Sequence, residues 1–304
     1  MSRHPLVTVL MSVHDDLRYL PAAVDSILGQ TFDDFEFLVL DDGSADGSAD
    51  YLSRLDDPRV RVVFNGENLG LTRSLNRGLD LAEGLYLARM DADDIAAPER
   101  LARQVEFLDA TPRVGIVGSS RVLIDEAGDV VAQAPAAEHD LDIRWKCLLG
   151  NPFAHPAVML RLDLLNAHGL RYDEQYRTAQ DYELWSRLLE VTKGHNLPEP
   201  LLRYRLRAGV SRMHKTEQLR NHDRIARASI QRLVPGFGIS EEEVMQLRGR
   251  FGGHSVREMT MDPAEPLWRA KLDQLRAAFV ATYLGVLQSA TPATPAGKTL
   301  LQAA

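Results

Sequence analysis

Three aspartates, Asp91, Asp93 and Asp94, follow a mostly apolar run over residues 85–90. Such a run is typical of a parallel strand covered on both faces, and loops after such strands often bind ligands. Three carboxylates so close together repel one another, so a positive group is expected between them. A divalent cation with oxygen ligands, which also holds a diphosphate, is the simplest such group.

A second interpretation of these acids is a solvated turn in front of a helix, with Asp94 as the N-cap and Pro98 in the first turn. A cap would explain Asp94 alone. It would not explain Asp91 and Asp93 together, so the cation interpretation is favoured.

Acids also end two other predicted strands, over residues 6–13 and 35–40. These acidic strand ends are His14-Asp15-Asp16 and Asp41-Asp42-Gly43-Ser44. Predicted helices over 17–28, 45–55 and 71–82 alternate with these strands and with strands over 60–64 and 85–90. Successive strand–helix units indicate a parallel sheet, and right-handed crossovers bring all the carboxyl ends to one edge. We therefore expect the acids to converge.

The rest of the chain predicts a mixture of strands and helices. We expect helices over 98–109, 141–149 and 180–190, strands over 114–119, 157–160 and 201–205, and a hairpin over 122–132. From about residue 210 the pattern predicts three helices, over 217–233, 240–251 and 266–287. The second is capped by Ser240 with Glu243 three residues later.

Composition restricts the class of protein. The net charge of −8 argues against a nucleic-acid binder. The single cysteine, Cys147, cannot form an internal disulfide and is interpreted as a packed apolar residue in a reducing compartment. No apolar run reaches the length of a membrane span. We expect a cytoplasmic protein, and peripheral contact with the inner face of the membrane is left open.

The order of the motifs resembles the family-two inverting glycosyltransferases, over about residues 5–210. The motifs that carry the resemblance are His14-Asp15-Asp16, Gln30-Thr31-Phe32, Asp41-Asp42-Gly43-Ser44, Asn68-x-Gly70, Asp91-Ala92-Asp93-Asp94 and Gln180-Asp181. It implies an α/β chain with the GT-A fold: a mostly parallel central sheet flanked by helices. Residues 1–97 would form the nucleotide-binding half and 98–210 the acceptor-binding half. A helical C-terminal extension over 211–288 and a flexible tail over 289–304 would follow.

The resemblance also implies roles for single residues. Asp42 would accept the uracil N3–H of a UDP-sugar, Asp91 would face the ribose or sugar of the donor, and Asp93 would bind Mn²⁺ or Mg²⁺ on the diphosphate. Asp181 would be the general base. The remaining donor-side positions are Ser12, His14, Asp16, Asn68, Gly70, Arg73 and Ala92, and the acceptor-side positions are His155, Gln180 and Trp185.

The implied chemistry is a single displacement. A cation neutralises the charge that develops on the departing diphosphate. A carboxylate near the acceptor hydroxyl removes its proton as it attacks, and one such base opposite the leaving group inverts the anomeric centre. Because Asp181 begins a predicted helix, its backbone N–H groups are expected to lower the pKa of this carboxyl.

Structural alternatives stand beside these roles. Asp42 could form an Asx turn, Asp181 could be a plain N-cap, His155 could be a hydrogen-bonded structural residue, and Arg73 could pair with Asp42 or Asp94. Trp145 and Trp185 are expected to be packing residues, since each sits in an amphipathic helix.

The sequence also departs from parts of the family. It lacks the Gln-x-x-Arg-Trp motif and membrane helices of processive members, so we expect one sugar to be added per encounter, to a glycan or lipid-linked acceptor. Arg207 stands where related sequences often place a histidine. Alternatives are a sugar nucleotidyltransferase, disfavoured by the acidic His14-Asp15-Asp16, and an inactive nucleotide-sugar-binding module. The C-terminal helices could form a homodimer.

Overall fold

One mixed sheet carries the strand ends that the sequence predicts to converge. The computed structural model describes residues 4–207, 215–251 and 266–289. Within these ranges the strands are β1 (Val7–Val13), β2 (Phe35–Asp41), β3 (Val60–Phe64), β4 (Tyr86–Asp91), β5 (Ile95–Ala96), β6 (Val114–Ile124), β7 (Val130–Ala134), β8 (Met159–Arg161) and β9 (Lys193–Arg205). Their order is β3-β2-β1-β4-β8-β6-β9-β5, with β7 beside β6.

The helices of the described ranges cover both faces of this sheet and continue beyond it. They are α1 (Leu20–Leu28), α2 (Ser48–Leu52), α3 (Leu71–Leu81), α4 (Arg100–Ala110), α5 (Asp140–Leu149), α6 (Leu162–Ala167), α7 (Gln180–Val191), α8 (Lys215–Leu233), α9 (Glu241–Phe251) and α10 (Pro266–Ser289). A 3₁₀ turn at His155–Ala157 precedes β8.

The first half of the sheet is parallel, as predicted. Strand β1 pairs in parallel with β2 and β4, and β2 pairs in parallel with β3. The register sets Ser12 beside Asp91 and Val13 beside Asp41, so the carboxyl ends of β1, β2 and β4 lie level. This alignment brings the acidic strand ends to one edge.

The second half is mixed, and here several predicted boundaries are wrong. Strand β8 runs antiparallel between β4 and β6, while β6 and β9 form a long parallel pair. Strand β6 is continuous where a break was expected, and β9 begins at Lys193 rather than at 201. Proline normally breaks a strand. In β9 the register shift between Leu197 and Pro200 leaves Pro198 outside the ladder, so the strand continues past it.

Two apolar clusters enclose the sheet. Alternate residues of β1 point to opposite faces: Val9 and Met11 pack with α1 and α4, whereas Leu10 packs with α3 and α7. All three side chains are fully buried. Burial on both faces explains why β1 is a continuous apolar run rather than an alternating one.

The C-terminal helices pack against α5 through a third apolar cluster. Trp145 and Leu148 of α5 contact a set that includes Ile230, Leu247 and Phe279. The packing interpretation of Trp145 is therefore confirmed. The Ser240 capping box is confirmed as well, with its two bonds to Glu243 at 2.8 and 3.2 Å. A homodimer through these helices stays a prediction.

Two predictions concern residues outside the described ranges. They are the domain boundary at residue 210 and the tail from residue 290 onward. In the described ranges, none of the helices combines the length and apolarity that a membrane crossing requires.

Cys147 is fully buried, and burial raises the pKa of its thiol to about 12, which agrees with a packing role.

The close approach of β1 to the start of β4 generates a stability prediction. A Cβ at Gly84 would clash with the backbone nitrogen of Thr8 and lie 2.8 Å from both the carbonyl carbon of Val7 and the carbonyl oxygen of Tyr86. Backbone atoms cannot rotate away. We expect Gly84→Ala to lower the free energy of unfolding by about 1–3 kcal/mol, measured by urea denaturation.

Gly249→Ala is the matched control, because a Cβ there meets nothing within 4 Å on the exposed face of α9. In a helix this change should stabilise by about 0.5–1 kcal/mol. Equal effects of the two substitutions would contradict the packing argument.

Candidate active site

The carboxylates after β4 form a compact cluster. One oxygen of each of Asp91, Asp93 and Asp94 lies within 4.8 Å of the others. Burial and the nearby carboxylates of Asp91 and Asp16 raise the pKa of Asp93 to about 6. Burial likewise raises the pKa of Asp94 well above its ordinary value. The cluster therefore holds more negative charge than its surroundings neutralise.

Asp94 does not cap a helix, so that interpretation of the acidic turn is wrong. Helix α4 begins at Arg100, after Glu99. Asp94 is buried, and its Oδ1 accepts a hydrogen bond of 2.7 Å from the backbone N–H of Arg205 on β9. Its role in the structure is to join the end of β4 to the end of β9.

Arg207 bridges two of the acids. Its Nη1 lies 2.5 Å from Asp16 and 3.3 Å from Asp93. Burial raises the pKa of Asp16, and Arg207 opposes this rise. A positive group therefore already stands between acids from the ends of β1 and β4, at the position where the family resemblance implies a histidine.

Arg89 is a buried cation that the sequence analysis did not single out. Its side chain is 0% exposed and contacts the carboxylate of Asp91. The only signal was a basic residue inside the otherwise apolar strand β4, two positions before the first acid. Desolvation normally lowers the pKa of an arginine, but the negative charge of Asp91 raises that of Arg89 overall.

At the end of β2, Asp42 holds the turn that leads into α3. Its Oδ1 accepts from the side chain of Asn65 at 2.8 Å and from the N–H of Leu69 at 2.9 Å, and its Oδ2 accepts from the N–H of Gly70 at 2.9 Å. A carboxylate has about four acceptor positions, so these three bonds leave about one without a donor among the described residues, and Asp42 is 2% exposed. Gly70 itself has φ +88, a conformation that favours glycine.

The ring of His14 lies between the two chain segments that border this turn. Its Nδ1 donates to the carbonyl oxygen of Asp42 at 3.0 Å, and Asn68 Nδ2 donates to its Nε2 at 2.9 Å. Ser12 lies two residues before His14, and on β1 it is paired with Asp91 of β4. These contacts bring together the donor-side positions on β1, β2 and the turn.

Arg73 does not meet Asp42 or Asp94. Its Nε donates instead to Glu174 at 2.9 Å. Both residues line a cavity of about 550 Å³, which Asn68 and Gly70 also line. The pairing expected for Arg73 is therefore wrong. Ala92, between the acids, is buried.

Asp181 lies in a second cavity of about 550 Å³, together with Asp91. It belongs to the first turn of α7 and accepts a hydrogen bond of 2.6 Å from Asn151. Burial raises the pKa of Asp181, and the hydrogen bonds from its backbone and from Asn151 only reduce this rise. The backbone N–H groups at the helix N-terminus do lower this pKa, as expected, but desolvation has the larger effect and the net shift is upward.

The three acceptor-side positions have different environments. His155 and Gln180 line the cavity of Asp181, and His155 Nε2 forms a hydrogen bond of 2.8 Å with the Tyr172 hydroxyl. Burial lowers the pKa of His155 well below its ordinary value, so its ring is neutral. Trp185 is fully buried beneath His155 and Tyr172. This burial agrees with the packing role expected for Trp185, and its acceptor-side role stays a prediction.

The two cavities share Leu71, Arg177 and Thr178, so they are neighbours. One holds the turn positioned by Asp42, and the other holds Asp91 and Asp181. The candidate ligand atoms of the acid cluster are all carboxylate oxygens, a ligand set that suits a hard divalent cation. The arrangement can therefore place a diphosphate, a cation and a basic carboxylate around one space.

Comparisons with known proteins agree with this geometry. The sequence profile of glycosyl transferase family 2 matches residues 8–165. An uncharacterized glycosyltransferase of Haemophilus influenzae is 31% identical over 251 residues, which cover 79% of this chain and 77% of that protein. The O-antigen biosynthesis glycosyltransferase WbnJ of Escherichia coli is 31% identical, covering 66% of this chain and 80% of its own.

Two solved structures share the fold. S. aureus TarS 1–349 in complex with UDP-GlcNAc has a TM-score of 0.63 at 18% identity, covering 93% of this chain and 90% of its own. The mannosyltransferase PcManGT from Pyrobaculum calidifontis, in complex with GDP-Man and Mn²⁺, has a TM-score of 0.57 at 16% identity, with coverages of 95% and 89%.

The contacts of Asp42 generate a prediction. In Asp42→Asn, an amide N–H₂ replaces one carboxylate oxygen and faces a backbone or side-chain donor of the turn. We expect the free energy of unfolding to fall by about 1–3 kcal/mol, measured by urea denaturation. Asp56→Asn, at an exposed position, is the control and should leave it unchanged. Equal stability of the two variants would contradict the role given to Asp42.

Proposed function

The chain belongs to glycosyl transferase family 2 and has the GT-A fold, and from this premise we propose that it transfers one hexosyl or N-acetylhexosaminyl unit from a UDP-sugar to a hydroxyl group of a glycan or lipid-linked acceptor. The reaction is metal-dependent and inverts the anomeric centre, with Asp181 as general base. The observation that carries the proposal is that Asp91 and Asp181 line one cavity.

The donor side is the edge formed by β1, β2 and β4. Asp42 has one acceptor position left beside the turn, which suits the N3–H of uracil. TarS and PcManGT were solved with UDP-GlcNAc and with GDP-Man. These ligands support a nucleotide-sugar donor, and the choice of uracil over guanine rests on the family resemblance around Asp42.

Asp93, with Asp91, would hold Mn²⁺ or Mg²⁺. When bound, the cation supplies positive charge for the departing diphosphate. The raised pKa of Asp93 agrees with this assignment, because a carboxylate that lacks enough positive charge nearby favours a cation or a proton. Arg207 is the cation of the chain itself at this point and lies within 3.3 Å of Asp93.

Asp181 takes the proton of the acceptor hydroxyl. As that proton moves to the carboxylate, the acceptor oxygen bonds to the anomeric carbon, and the bond from this carbon to the phosphate oxygen breaks with its electron pair on the diphosphate. Asn151 orients the base. The raised pKa of Asp181 makes it a stronger base than an exposed aspartate, which favours proton transfer at neutral pH.

Two alternatives remain, and each has a discriminating property. A sugar nucleotidyltransferase carries a basic, glycine-rich loop after β1, whereas here Asp15 and Asp16 follow that strand. An inactive binding module would take up UDP-sugar without transferring the sugar. Absence of both transfer and UDP-sugar hydrolysis over a wide panel of donors and acceptors would favour this second alternative.

Asp93→Asn tests the cation site. The amide offers a weaker ligand and no charge, so we expect transfer from UDP-sugar to fall by about 10²–10³-fold while the melting temperature stays near that of the wild type. Transfer is measured as UDP release with Mn²⁺ present. EDTA should abolish the activity of the wild type.

Asp33→Asn is the matched control, since the Asp33 side chain is 89% exposed and distant from the acid cluster. It should retain full activity. Wild-type activity in Asp93→Asn, or activity that persists in EDTA, would remove the cation role of Asp93.

Asp181→Asn tests the base. We expect calorimetric UDP affinity to be unchanged and transfer to fall by about 10²–10⁴-fold, because an amide cannot accept the hydroxyl proton. In the wild type, kcat/KM should fall as the pH drops through the raised pKa of Asp181, since only the ionised carboxylate acts as a base.

Asp50→Asn serves as control, because Asp50 also lies in the first turn of a helix but is exposed. Its transfer rate and pH profile should match the wild type. Retained transfer in Asp181→Asn would place the base at another residue.

A further inference from the structure

The cavity that holds Asp181 is lined by more cationic than anionic side chains. Among the described residues, the charged groups that line it are Arg89, Arg121, Lys146, Arg177, Asp91 and Asp181. We propose that the acceptor carries an oxyanion, a phosphate or a carboxylate, which Arg89 and Arg121 hold beside the hydroxyl group that reacts. This inference rests on the proposed function and names the chemical class of its acceptor.

Arg89 provides the first argument. Its guanidinium is completely buried and contacts Asp91, yet its Nε and Nη2 have no hydrogen-bond partner among the described residues. Unpaired charged donors are costly inside a protein, and each one requires an explanation. Since Arg89 lines the cavity, an anion entering the cavity would supply the acceptor that these nitrogens lack.

Arg121 provides the second argument, from a different strand. It lies on β6, and its guanidinium carbon is 5.7 Å from the centre of the Tyr204 ring. Its buried Nε also lacks a hydrogen-bond partner in the part of the chain that the structure describes. Two guanidinium groups from β4 and β6 thus face one space. Their planar N–H pairs match the oxygens of phosphate and carboxylate groups.

Arg100 shows how this chain treats a buried arginine with a structural role. It is as deeply buried as Arg89, but its Nη2 donates to the carbonyl oxygens of Arg89 at 2.6 Å and Val158 at 3.3 Å, and its Nε donates to Gln104 at 3.2 Å. A packed arginine is therefore satisfied within the protein. The unpaired nitrogens of Arg89 and Arg121 are confined to the wall of the cavity.

The two carboxylates of the cavity do not remove this excess of positive charge. Asp91 neutralises one guanidinium, that of Arg89, and Asp181 is held by the uncharged Asn151. The donor-side cation would be held by Asp93 and the acceptor anion by Arg121, so different groups would hold the two charges.

The test is a calorimetric titration of glucose, glucose 6-phosphate and glucuronate into the full chain saturated with UDP and Mn²⁺, so that the donor side is filled. We expect the two anions to bind at least roughly tenfold more tightly than glucose. Arg121→Gln should abolish this preference and leave UDP affinity unchanged. Arg121→Lys should restore part of it, because the charge returns without the planar fork.

Arg113→Gln is the control, since Arg113 is exposed and precedes the opposite end of β6. It should bind the anions as the wild type does. Preference for glucuronate alone or for glucose 6-phosphate alone identifies the anion and supports the inference. Equal binding of all three sugars, or a preference that survives in Arg121→Gln, would overturn it.

Separate measurements distinguish a wrong acceptor class from a wrong proposed function. UDP affinity reports on the donor side and does not depend on the charge of the acceptor. Normal UDP binding without anion preference would leave the transferase intact and remove the acceptor class. Loss of UDP binding in the wild type would instead remove the transferase.

Discussion

The structure depends on the neutralisation of carboxylates that the sheet topology forces together. Parallel pairing of β1, β2 and β4 sets their carboxyl ends level, so acids distant in the sequence meet at one edge. Arginines compensate part of this negative charge: Arg207 lies between Asp16 and Asp93, and Arg89 contacts Asp91. The remaining imbalance appears as the raised pKa of Asp93, and it is the physical reason to propose a cation site there.

A second constraint is the support of the strand that carries these acids. Strand β4 lies between β1 and β8. The buried side chain of Arg100, on α4, donates a hydrogen bond to the carbonyl oxygen of Arg89 on this strand. Burial lowers the pKa of Arg100 to about 9. Asp94 joins the same strand end to Arg205 of β9. The two halves of the sheet are thus joined beside the acid cluster.

Much of this arrangement could be predicted from the sequence, because apolar runs and acidic strand ends are local patterns. The parallel half and the helices other than α6 followed from them, and the family was identified by the resemblance of its motifs. Features that depend on tertiary contact could not be predicted. Pro198 made β9 look shorter in the sequence than it is. A proline fits inside this strand because the register against β6 shifts at that point. The unpaired state of Arg89 and the effect of burial on Asp181 require the distances between strands and helices.

The bridge formed by Arg207 has one more consequence. If Asp93 held a cation, that cation would compete with Arg207 for the same carboxylate, so its binding would gain only the difference between two attractions to Asp93. The affinity for any complex held through that cation would be reduced by the same amount, whether its nucleotide is substrate or product. Arg207 would return to Asp93 when the cation left.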